Sequence, residues 1–554
     1  MKKLFTSILC LTIFTSMAHA TIYYVNPSAG SDSNDGLTWN TSLSTIAAAT
    51  GLATANPGVD DVYIKGENFF FDAPLAVGNS QENYYGSFKG DETSPAQRPH
   101  IDIDGNGVAE PWEFEFPTIL KFETNTNALT LPNQDIQFDG FTITHIGTHE
   151  TAHMRTVTLG NTLARFWNNT IKDCNLSMPI LASSSNSRSV IMKSFGSIKN
   201  CLFENNTILA TRAVTNGAFQ LIEVNGSGSA PSLTPPGTKF TNNVIRNNKV
   251  TADFSASTVG TVNVRGMILN IDPSATPDTY TTVSNCLIHN NEIEMITNAS
   301  FPTTSASLVC INNTASGKDS VINNTIANNK GINVKTAGLS MIIATTSENV
   351  VLNNALWNNQ VGDVQNNIII AGGIANLSAV SSFKSNINSG GVSGLEENGT
   401  NIVNNLSDLS SGNTGANAPL FKNPSSAIGI TTDFSAETSN WRINLGSYLI
   451  GKGVATTSLK DKDGMPFLSP RSVGAFEYYL NSGVQGQKNT NEFVFASNGA
   501  LFSKVEGRIQ VIGIDGKTMK NEIVAAGQSL RLPSGIYIVS LTTDQESYIS
   551  KVVL

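Results

Sequence analysis

Residues 102–113 (DIDGNGVAEPWE) have the spacing of a calcium-binding loop. Calcium takes oxygen ligands, and here oxygen-bearing side chains alternate with other residues before a closing Glu that can bind an ion through both oxygens. Gly107 suits the sharp turn of such a loop. The predicted ligands are Asp102, Asp104, Asn106, the carbonyl of Val108, Glu110 and Glu113. Pro111 and the lack of clear flanking helices argue against an EF-hand proper, and a simple turn after a strand is the alternative.

Histidines gather shortly after this loop. His145, His149 and His153 fall within nine residues, and residues 149–153 match the zinc-protease pattern H-E-x-x-H. That chemistry needs a helix with both imidazoles on one face, whereas the glycine and threonines of this segment indicate a loop. Together with Arg155, these histidines are candidates to abstract a proton or to neutralise a substrate carboxylate. A solvated polar loop is the remaining interpretation.

Spacing singles out no basic residue further along the chain as a catalytic base. The available side chains are Lys172, Arg212, Arg246, Lys249 and Arg265. A glycoside hydrolase would need paired acids in neighbouring coils, and Asn stands at such positions. Among enzymes, a lyase is therefore favoured over a hydrolase.

Five copies of one eleven-residue pattern predict the framework that positions these side chains. Each copy has apolar residues at positions 1 and 6, Asn at positions 3, 8 and 9, and Asn or Cys at position 4. The copies are residues 198–208, 240–250, 283–293, 321–331 and 351–361. Because they recur every few tens of residues, they indicate stacked units rather than one globular core.

The residue types favour a parallel β-solenoid over a helical one. Asn carries a donor and an acceptor on one short amide, so residues stacked about 4.8 Å apart can bond along the stack. Asn also tolerates the left-handed backbone conformation that sharp corners require. Helical solenoids are rich in Ala, Leu, Glu and Lys instead, and charged residues are only 14% of this chain.

The cysteines are predicted to be free and buried. Cys201 and Cys286 occupy position 4 of copies that lie two coils apart, roughly 9.6 Å by the strand spacing, which is beyond disulfide range. We therefore expect them to continue the stack of small buried residues rather than to serve a redox or metal role.

Charge and the N-terminus limit the functional classes. The 554-residue chain has a net charge of -9, which removes the usual attraction to nucleic acid or anionic membranes. Residues 1–20 have the pattern of an export signal: two lysines, an apolar run and a closing Ala-His-Ala. No later apolar stretch is long enough to predict a membrane-spanning helix. No glycine-rich loop suggests a nucleotide or redox cofactor.

Several segments resemble secreted right-handed parallel β-helix proteins of the pectate-lyase-like superfamily. Residues 23–39 resemble their N-terminal cap and residues 136–143 a standard rung, while residues 461–478 are similar to the closure of bacterial members. The resemblance implies an all-β, right-handed parallel β-helix over residues 21–480. It also implies a lyase chemistry that pairs calcium with a Lys or Arg base. The loop at 102–113 looks like the D-x-D-G-N-G calcium loops of secreted bacterial proteins.

The C-terminal region is predicted to be a separate small β-sandwich at residues 492–554, after a polar linker at 481–491. Its L-P-x-G-I-Y sequence at 532–537 and its terminal K-V-V resemble the type A sorting domain of the Bacteroidetes type IX secretion system. This implies passage through the periplasm to the medium or the outer cell surface by that machinery. A generic β-sandwich is the alternative.

Two functions follow from these patterns. The favoured one is an exported protein that binds extracellular glycans or host molecules, with Ca²⁺ in a structural role. The other is a Ca²⁺-assisted lyase of uronate-containing polysaccharide, so whether the protein is an enzyme stays open at this point.

Overall fold

The computed structural model describes most of the chain in segments. These are residues 20–56, 58–77, 82–131, 135–148, 154–160, 163–181, 189–212, 220–226, 237–256, 266–272, 280–297, 306–313, 318–343, 348–365, 368–371, 382–389, 408–479, 494–497, 500–503, 506–513, 516–542 and 547–553. The predicted export signal lies outside them except for Ala20. In the described segments, no helix has both the length and the apolar character needed to cross a membrane. The chain divides into two compact units, Met1–Tyr478 and Tyr479–Leu554.

The first unit is built from coils that each add short strands to parallel stacks, here numbered sheets 1 to 4 in the order in which a coil visits them. Sheet 1 contains Ile22–Val25, Asp61–Lys65, Asn83–Phe88, Gln137–Asp139, Arg165–Trp167, Ser197–Lys199, Thr238–Thr241, Tyr280–Ser284, Lys318–Ile322, Glu348–Leu352 and Ser382–Lys384. Sheet 2 contains Asn68–Phe71, Thr118–Glu123, Phe141–Thr148, Thr170–Lys172, Leu202–Glu204, Val244–Arg246, Leu287–His289, Thr325–Ala327, Ala355–Trp357, Ile387–Ser389 and Asp408–Leu409.

The other two stacks complete each coil. Sheet 3 contains Asn175–Leu181, Thr207–Arg212, Lys249–Asp253, Glu292–Ile296, Lys330–Ile332 and Gln360–Val361. The far end of Phe141–Thr148 pairs with its first strand, and Val364–Gln365 turns back antiparallel on its last. Sheet 4 contains Leu75–Ala76, Leu129–Leu131, Met154–Leu159, Ser189–Ser194, Ile222–Asn225, Gly266–Asp272, Ser307–Asn313, Thr336–Ile343 and Ile368–Ala371.

The apolar positions of the repeat form the interior of the coils. The residues at position 1 are paired in register along sheet 1 and are all buried: Ile198, Phe240, Val283, Val321 and Val351. Burial of such side chains supplies the main stabilisation, about 25 cal/mol for each Å² of apolar surface removed from water. The predicted parallel β-helix is confirmed.

Two kinds of Asn turn each coil. At positions 3 and 8 of all five copies, Asn adopts the left-handed conformation, with φ between 51° and 59°. At position 9, Asn206, Asn248, Asn291, Asn329 and Asn359 form what we call the inner amide ladder. The side-chain oxygen of Asn291, for example, accepts both the backbone N–H (3.1 Å) and the side-chain amide (2.9 Å) of Asn248. The predicted stacking of amides is therefore confirmed.

The four cysteines in the described residues are buried and form no disulfide, as predicted. The backbone N–H of Cys201 donates to Asn243 Oδ1 at 2.9 Å, so the thiol stands in a stack that is otherwise made of amides. Burial raises the pKa of Cys174 and of Cys286 to about 12, which keeps both thiols protonated at neutral pH.

A helix closes the N-terminal end of the coils. It spans Ile46–Ala55 and buries Ile46, Ala49 and Ala53 against the first strands. Its N-cap is Thr45, whose hydroxyl accepts the N–H of Ala48. Two short 3-10 helices, Trp39–Thr41 and Pro95–Gln97, precede and follow it.

Residues 410–478, the cover segment, pack on the outer surface of sheet 2. They include the antiparallel pair Phe421–Asn423 and Asn440–Ile443, and Trp441 packs with Phe421 and Trp357 in a second hydrophobic core. Asn side chains on the outside of the coils donate hydrogen bonds to backbone carbonyls of the cover segment. They include Asn290 with Ala427 O at 2.7 Å and Asn353 with Val454 O at 2.8 Å.

The second unit has two antiparallel sheets, which confirms the predicted sandwich-like end. One sheet contains Val494–Ser497, Ala500–Ser503 and Ser529–Arg531. The other contains Gly507–Gly513, Thr518–Val524, Ile536–Thr542 and Ser547–Val553. Leu501, Val511 and Leu541 lie in its core.

Candidate functional site

The acidic loop, residues 89–117, leaves the coils after the sheet 1 strand Asn83–Phe88 and returns at the sheet 2 strand Thr118–Glu123. A short antiparallel contact closes its stem, with Ile101 N–H donating to Glu113 O at 3.1 Å and Glu115 N–H to Pro99 O at 3.0 Å. No α-helix flanks the loop in the described residues around it, because both its ends continue directly into β-structure. The arrangement therefore differs from an EF-hand in its supports.

Three carboxylates converge inside this loop. Ligand oxygens of Asp102, Asp104 and Glu113 all lie within 4.8 Å of one another. Backbone donors fix them: Gly105 and Gly107 donate to the two oxygens of Asp102 at 2.9 Å each. A cluster of hard oxygen donors at this spacing could hold a metal ion.

The other predicted ligands stand beside this trio. The amide of Asn106 donates to both carboxylate oxygens of Glu110, at 3.1 and 3.2 Å, and its Oδ1 accepts the N–H of Val108 at 3.0 Å. Of the six predicted ligands, the structure therefore brings three into one cluster and pairs Asn106 with Glu110.

Glu113 is the most strongly perturbed acid of the loop. Burial raises its pKa to about 8, and the neighbouring Glu110 side chain adds to the rise. The N–H groups of Ile103 and Asp104 donate to its Oε1 at 3.1 and 3.2 Å, and the Glu110 N–H donates to Oε2 at 2.8 Å. Without a cation nearby, this carboxyl holds its proton at neutral pH. A divalent cation would favour the charged form.

Two buried ion pairs anchor the acidic loop to the coils. The loop supplies the cation in one pair and the anion in the other. On the sheet 1 side, Arg98 of the loop donates through Nη2 to Asp139 at 2.7 Å. On the sheet 2 side, Asp104 of the loop accepts from Arg246 Nη1 at 2.9 Å. Arg246 also bonds to Glu204 Oε1 at 2.6 Å and to the carbonyl of Glu437 in the cover segment at 2.9 Å. These pairs hold the carboxylates in place without a ligand.

Burial opposes the charge on Arg246, but its two carboxylate partners outweigh burial and raise its pKa. The loop also contacts the cover segment through Asn440 Nδ2, which donates to Asn106 O at 3.3 Å. Three distant parts of the chain thus meet at the acidic loop.

A groove of about 570 Å³ lies between the acidic loop, the outer surface of sheet 2 and the cover segment. We call it the sheet 2 groove. Its lining residues include Asp104, Trp112, Glu113, Phe114, Thr142, Thr170, Lys172, Asp173, Leu202, Glu204, Arg246, Phe434 and Glu437. Asp104 and Glu113 belong both to the carboxylate trio and to this lining, so an ion held by the trio would border the groove.

The structure separates the basic candidates. Lys172 and Arg246 line the sheet 2 groove, but the guanidinium of Arg246 is committed to Glu204 and Asp104. Lys172 is partly exposed, with its ammonium 4.0 Å from Asp173 Oδ2. Lys249 lies on sheet 3 and pairs with Glu292 at 2.8 Å. Arg265 lies outside the described residues, as does the side chain of Arg212.

The histidine candidates do not form a cluster with the acidic loop in the described residues. His145 is fully buried on the strand Phe141–Thr148, where its Nδ1 lies 3.1 Å from Thr156 Oγ1 and its Nε2 3.0 Å from Thr124 O. Burial lowers its pKa, so it is neutral at pH 7. Arg155 lies on sheet 4, away from the groove. His149 and His153 lie outside the described residues.

Sequence reasoning missed the partners that complete this site. Glu204, Asp139 and Glu437 have no local motif, and Arg246 lies 142 residues from Asp104 and 191 from Glu437. The only available signal was that Glu204 and Arg246 occupy position 7 of neighbouring repeat copies, which stacks them in register.

Comparisons with known proteins give little beyond the architecture. No protein-family model matches the chain, and no curated protein matches it. A solved structure that it resembles is the crystal structure of pectate lyase Pel9A, with 14% sequence identity and a TM-score of 0.31. That match covers 84% of this chain and 98% of the other. At this identity the match says nothing about activity. The fold assignment rests on the strand pairing described above.

Proposed function

We propose that the protein is an extracellular glycan-binding β-helix that holds Ca²⁺ in the acidic loop and binds acidic polysaccharide in the sheet 2 groove. The observation that carries this proposal is the double role of Asp104 and Glu113, which belong to both the carboxylate trio and the groove lining. Ca²⁺ fits the donor set because it prefers carboxylate and carbonyl oxygens in flexible geometry.

The charge of the sheet 2 groove explains why the binding of acidic polysaccharide would need a cation. Even with Glu113 protonated, the groove lining holds more acidic than basic side chains: Asp104, Asp173, Glu204 and Glu437 against Lys172 and Arg246. An anionic sugar would be repelled by this lining alone. A divalent ion held by the trio would offset most of the local negative charge and leave coordination positions for a uronate carboxylate.

Removing the carboxylate of either Asp104 or Glu113 should strongly weaken both calcium binding and polysaccharide binding. We expect Asp104→Asn and Glu113→Gln each to weaken Ca²⁺ binding at least tenfold in isothermal titration calorimetry, since each removes a charged ligand. Binding to polygalacturonate or alginate, measured by affinity electrophoresis, should fall in parallel and should disappear for the unchanged protein in EDTA.

Glu115→Gln is the matched control, because Glu115 is exposed, lies two residues from Glu113 and does not line the groove. It should retain both the calcium heat and the polysaccharide binding. Polysaccharide binding that persists unchanged in EDTA would contradict the proposal, as would equal calcium heats in all three variants.

A lyase acting on the same polysaccharide is the second candidate, favoured by the position of Lys172. Lys172 lines the groove without a close ion pair, so its side chain, as the neutral amine, could take the proton next to a uronate carboxyl. The bond to the leaving sugar oxygen would then break as a C4=C5 double bond forms, and that oxygen would take up a proton. The metal, when bound, would stabilise the charge on the carboxyl group.

The lyase proposal is tested by the ultraviolet absorbance of unsaturated uronate. We expect Lys172→Ala to lower this rate at least a hundredfold while polysaccharide binding changes less than threefold, since a base contributes about 10²–10⁴ to the rate. Lys384→Ala, an exposed lysine on sheet 1, should have no effect. The absence of any absorbance change with the unchanged protein and Ca²⁺ would rule out the lyase and leave binding as the function.

We also propose that the protein is exported to the medium or the outer cell surface, with type IX secretion machinery as its partner. The support is the L-P-x-G-I-Y sequence at 532–537 and the N-terminal signal pattern. Deleting residues 492–554 in the producing bacterium should retain the protein in the periplasm, as fractionation and immunoblotting would reveal.

A further inference from the structure

A second groove lies on the other side of the acidic loop, against the outer surface of sheet 1. We call it the sheet 1 groove; its volume is about 740 Å³. Its lining residues include Tyr85, Arg98, His100, Phe114, Gln137, Asp139 and Asn168. Phe114 borders both grooves, so the loop separates two concave surfaces.

The floor of this groove is rigid before any ligand arrives. Arg98 is buried and bonds to Asp139 Oδ1 at 2.7 Å and to Gly86 O at 2.8 Å. Its guanidinium lies over the rings of Phe114 and Tyr85, with centroids 4.7 and 5.8 Å away. Because its charge is compensated by Asp139 and its plane is covered by rings, Arg98 organises the floor and does not attract anions.

Aromatic rings continue from this floor along sheet 1. Tyr24, Tyr63 and Tyr85 occupy paired positions in successive coils, with ring centroids 5.7 and 5.8 Å apart. The same column continues through Asp139 to Trp167, which is half-buried. Tyr63 is buried, with 3% exposure, so the exposed ring surface of this column next to the groove floor comes from the half-buried Tyr85 and Trp167.

Amide groups border the rings. Gln137 Nε2 and Asn168 Nδ2 donate to Asp139 Oδ2 at 3.2 and 2.9 Å, which orients both amides. The hydroxyl of Tyr85 makes no hydrogen bond to the described part of the chain. Oriented amides and a free hydroxyl next to a ring match the hydroxyl groups and the apolar C–H face of a sugar.

We propose that the sheet 1 groove is a second saccharide site, one that takes neutral sugar units and works without a cation. Its lining has one compensated ion pair and no acidic cluster, so it offers nothing to attract an anionic chain. The proposal goes beyond the calcium-dependent function, because it uses neither the carboxylate trio nor the sheet 2 groove.

The test is a calorimetric titration in EDTA with neutral gluco-, manno-, galacto- and xylo-oligosaccharides. We expect at least one of them to bind the unchanged full-length protein, and Tyr85→Ala and Gln137→Ala each to weaken that binding at least tenfold. Phe70→Ala should have no effect, because Phe70 is an exposed ring (73%) on sheet 2 outside both grooves.

Glu113→Gln separates this proposal from the calcium-dependent one, because it should leave neutral-sugar binding unchanged. The proposal is overturned if no oligosaccharide binds in EDTA, or if binding survives both the Tyr85 and the Gln137 substitutions. Thermal unfolding of each variant distinguishes lost binding from a lost fold, and Gln137→Ala, a change at a half-buried rim residue, should fold normally.

Discussion

Replacing Asn291 with Leu should lower the free energy of unfolding by about 3–5 kcal/mol, because several buried groups lose their partners and each unsatisfied group costs about 1–3 kcal/mol. Asn291 Oδ1 accepts two hydrogen bonds from Asn248, and its amide donates to Ile245 O and His289 O at 3.0 Å each. Leu fills a similar volume but cannot make any of these bonds. Equilibrium urea unfolding measures the loss.

Asn200→Gly is the matched control within the same repeat. Asn200 has φ 54°, which Gly adopts without strain, and its partly exposed side chain makes only outer contacts with Asn168 and Asn242. In this variant the free energy of unfolding should fall by less than about 1.5 kcal/mol, the usual net value of one hydrogen bond. Equal losses in the two variants would mean that the inner amide ladder has no special role.

Replacing Arg246 with Met should also cost about 3–5 kcal/mol, because it leaves the buried carboxylates of Glu204 and Asp104 without their counter-ion. This decrease in the free energy of unfolding should become smaller as the pH falls. In the variant, burial raises the carboxylate pKa values in the folded state, so the folded state binds more protons than the unfolded state and gains stability at low pH. Thermal unfolding between pH 4 and 8 checks this dependence.

A second substitution tests the assigned cause. Glu204→Gln added to Arg246→Met should recover part of the loss, since it removes one uncompensated charge. Arg165→Met is the exposed-pair control: Arg165 lies 2.7 Å from Asp135, but both side chains are over a third exposed. It should cost less than about 1 kcal/mol. A pH-independent loss in Arg246→Met would contradict the explanation.

Both grooves depend on the acidic loop being held at two points. The Arg98–Asp139 pair fixes it to sheet 1 and the Arg246–Asp104 pair fixes it to sheet 2. A ligand in either groove therefore meets a surface that needs little ordering, which favours affinity.

The sequence predicted the elements whose signals repeat locally. Asn at positions 3, 8 and 9 of the five copies predicted left-handed corners and stacked amides. The structure has the corners at positions 3 and 8 and the stacked amides at position 9. Of the six ligands predicted in the twelve-residue loop, three carboxylates converge in the structure, while Glu110 pairs with Asn106. The cover segment was foreseen only as the end of the coils, since its contacts with Asn290 and Asn353 lie 137 and 101 residues away.

The sequence by itself determined the solenoid, because an in-register repeat places each residue above its equivalent in the next coil and the hydrogen bonds follow from residue type alone. It also determined which oxygens the acidic loop offers. Only the tertiary structure decided that this loop borders two grooves and is anchored by Arg98 and Arg246, and that His145 lies in the core. Those facts depend on contacts between residues up to 334 positions apart, which no local pattern encodes.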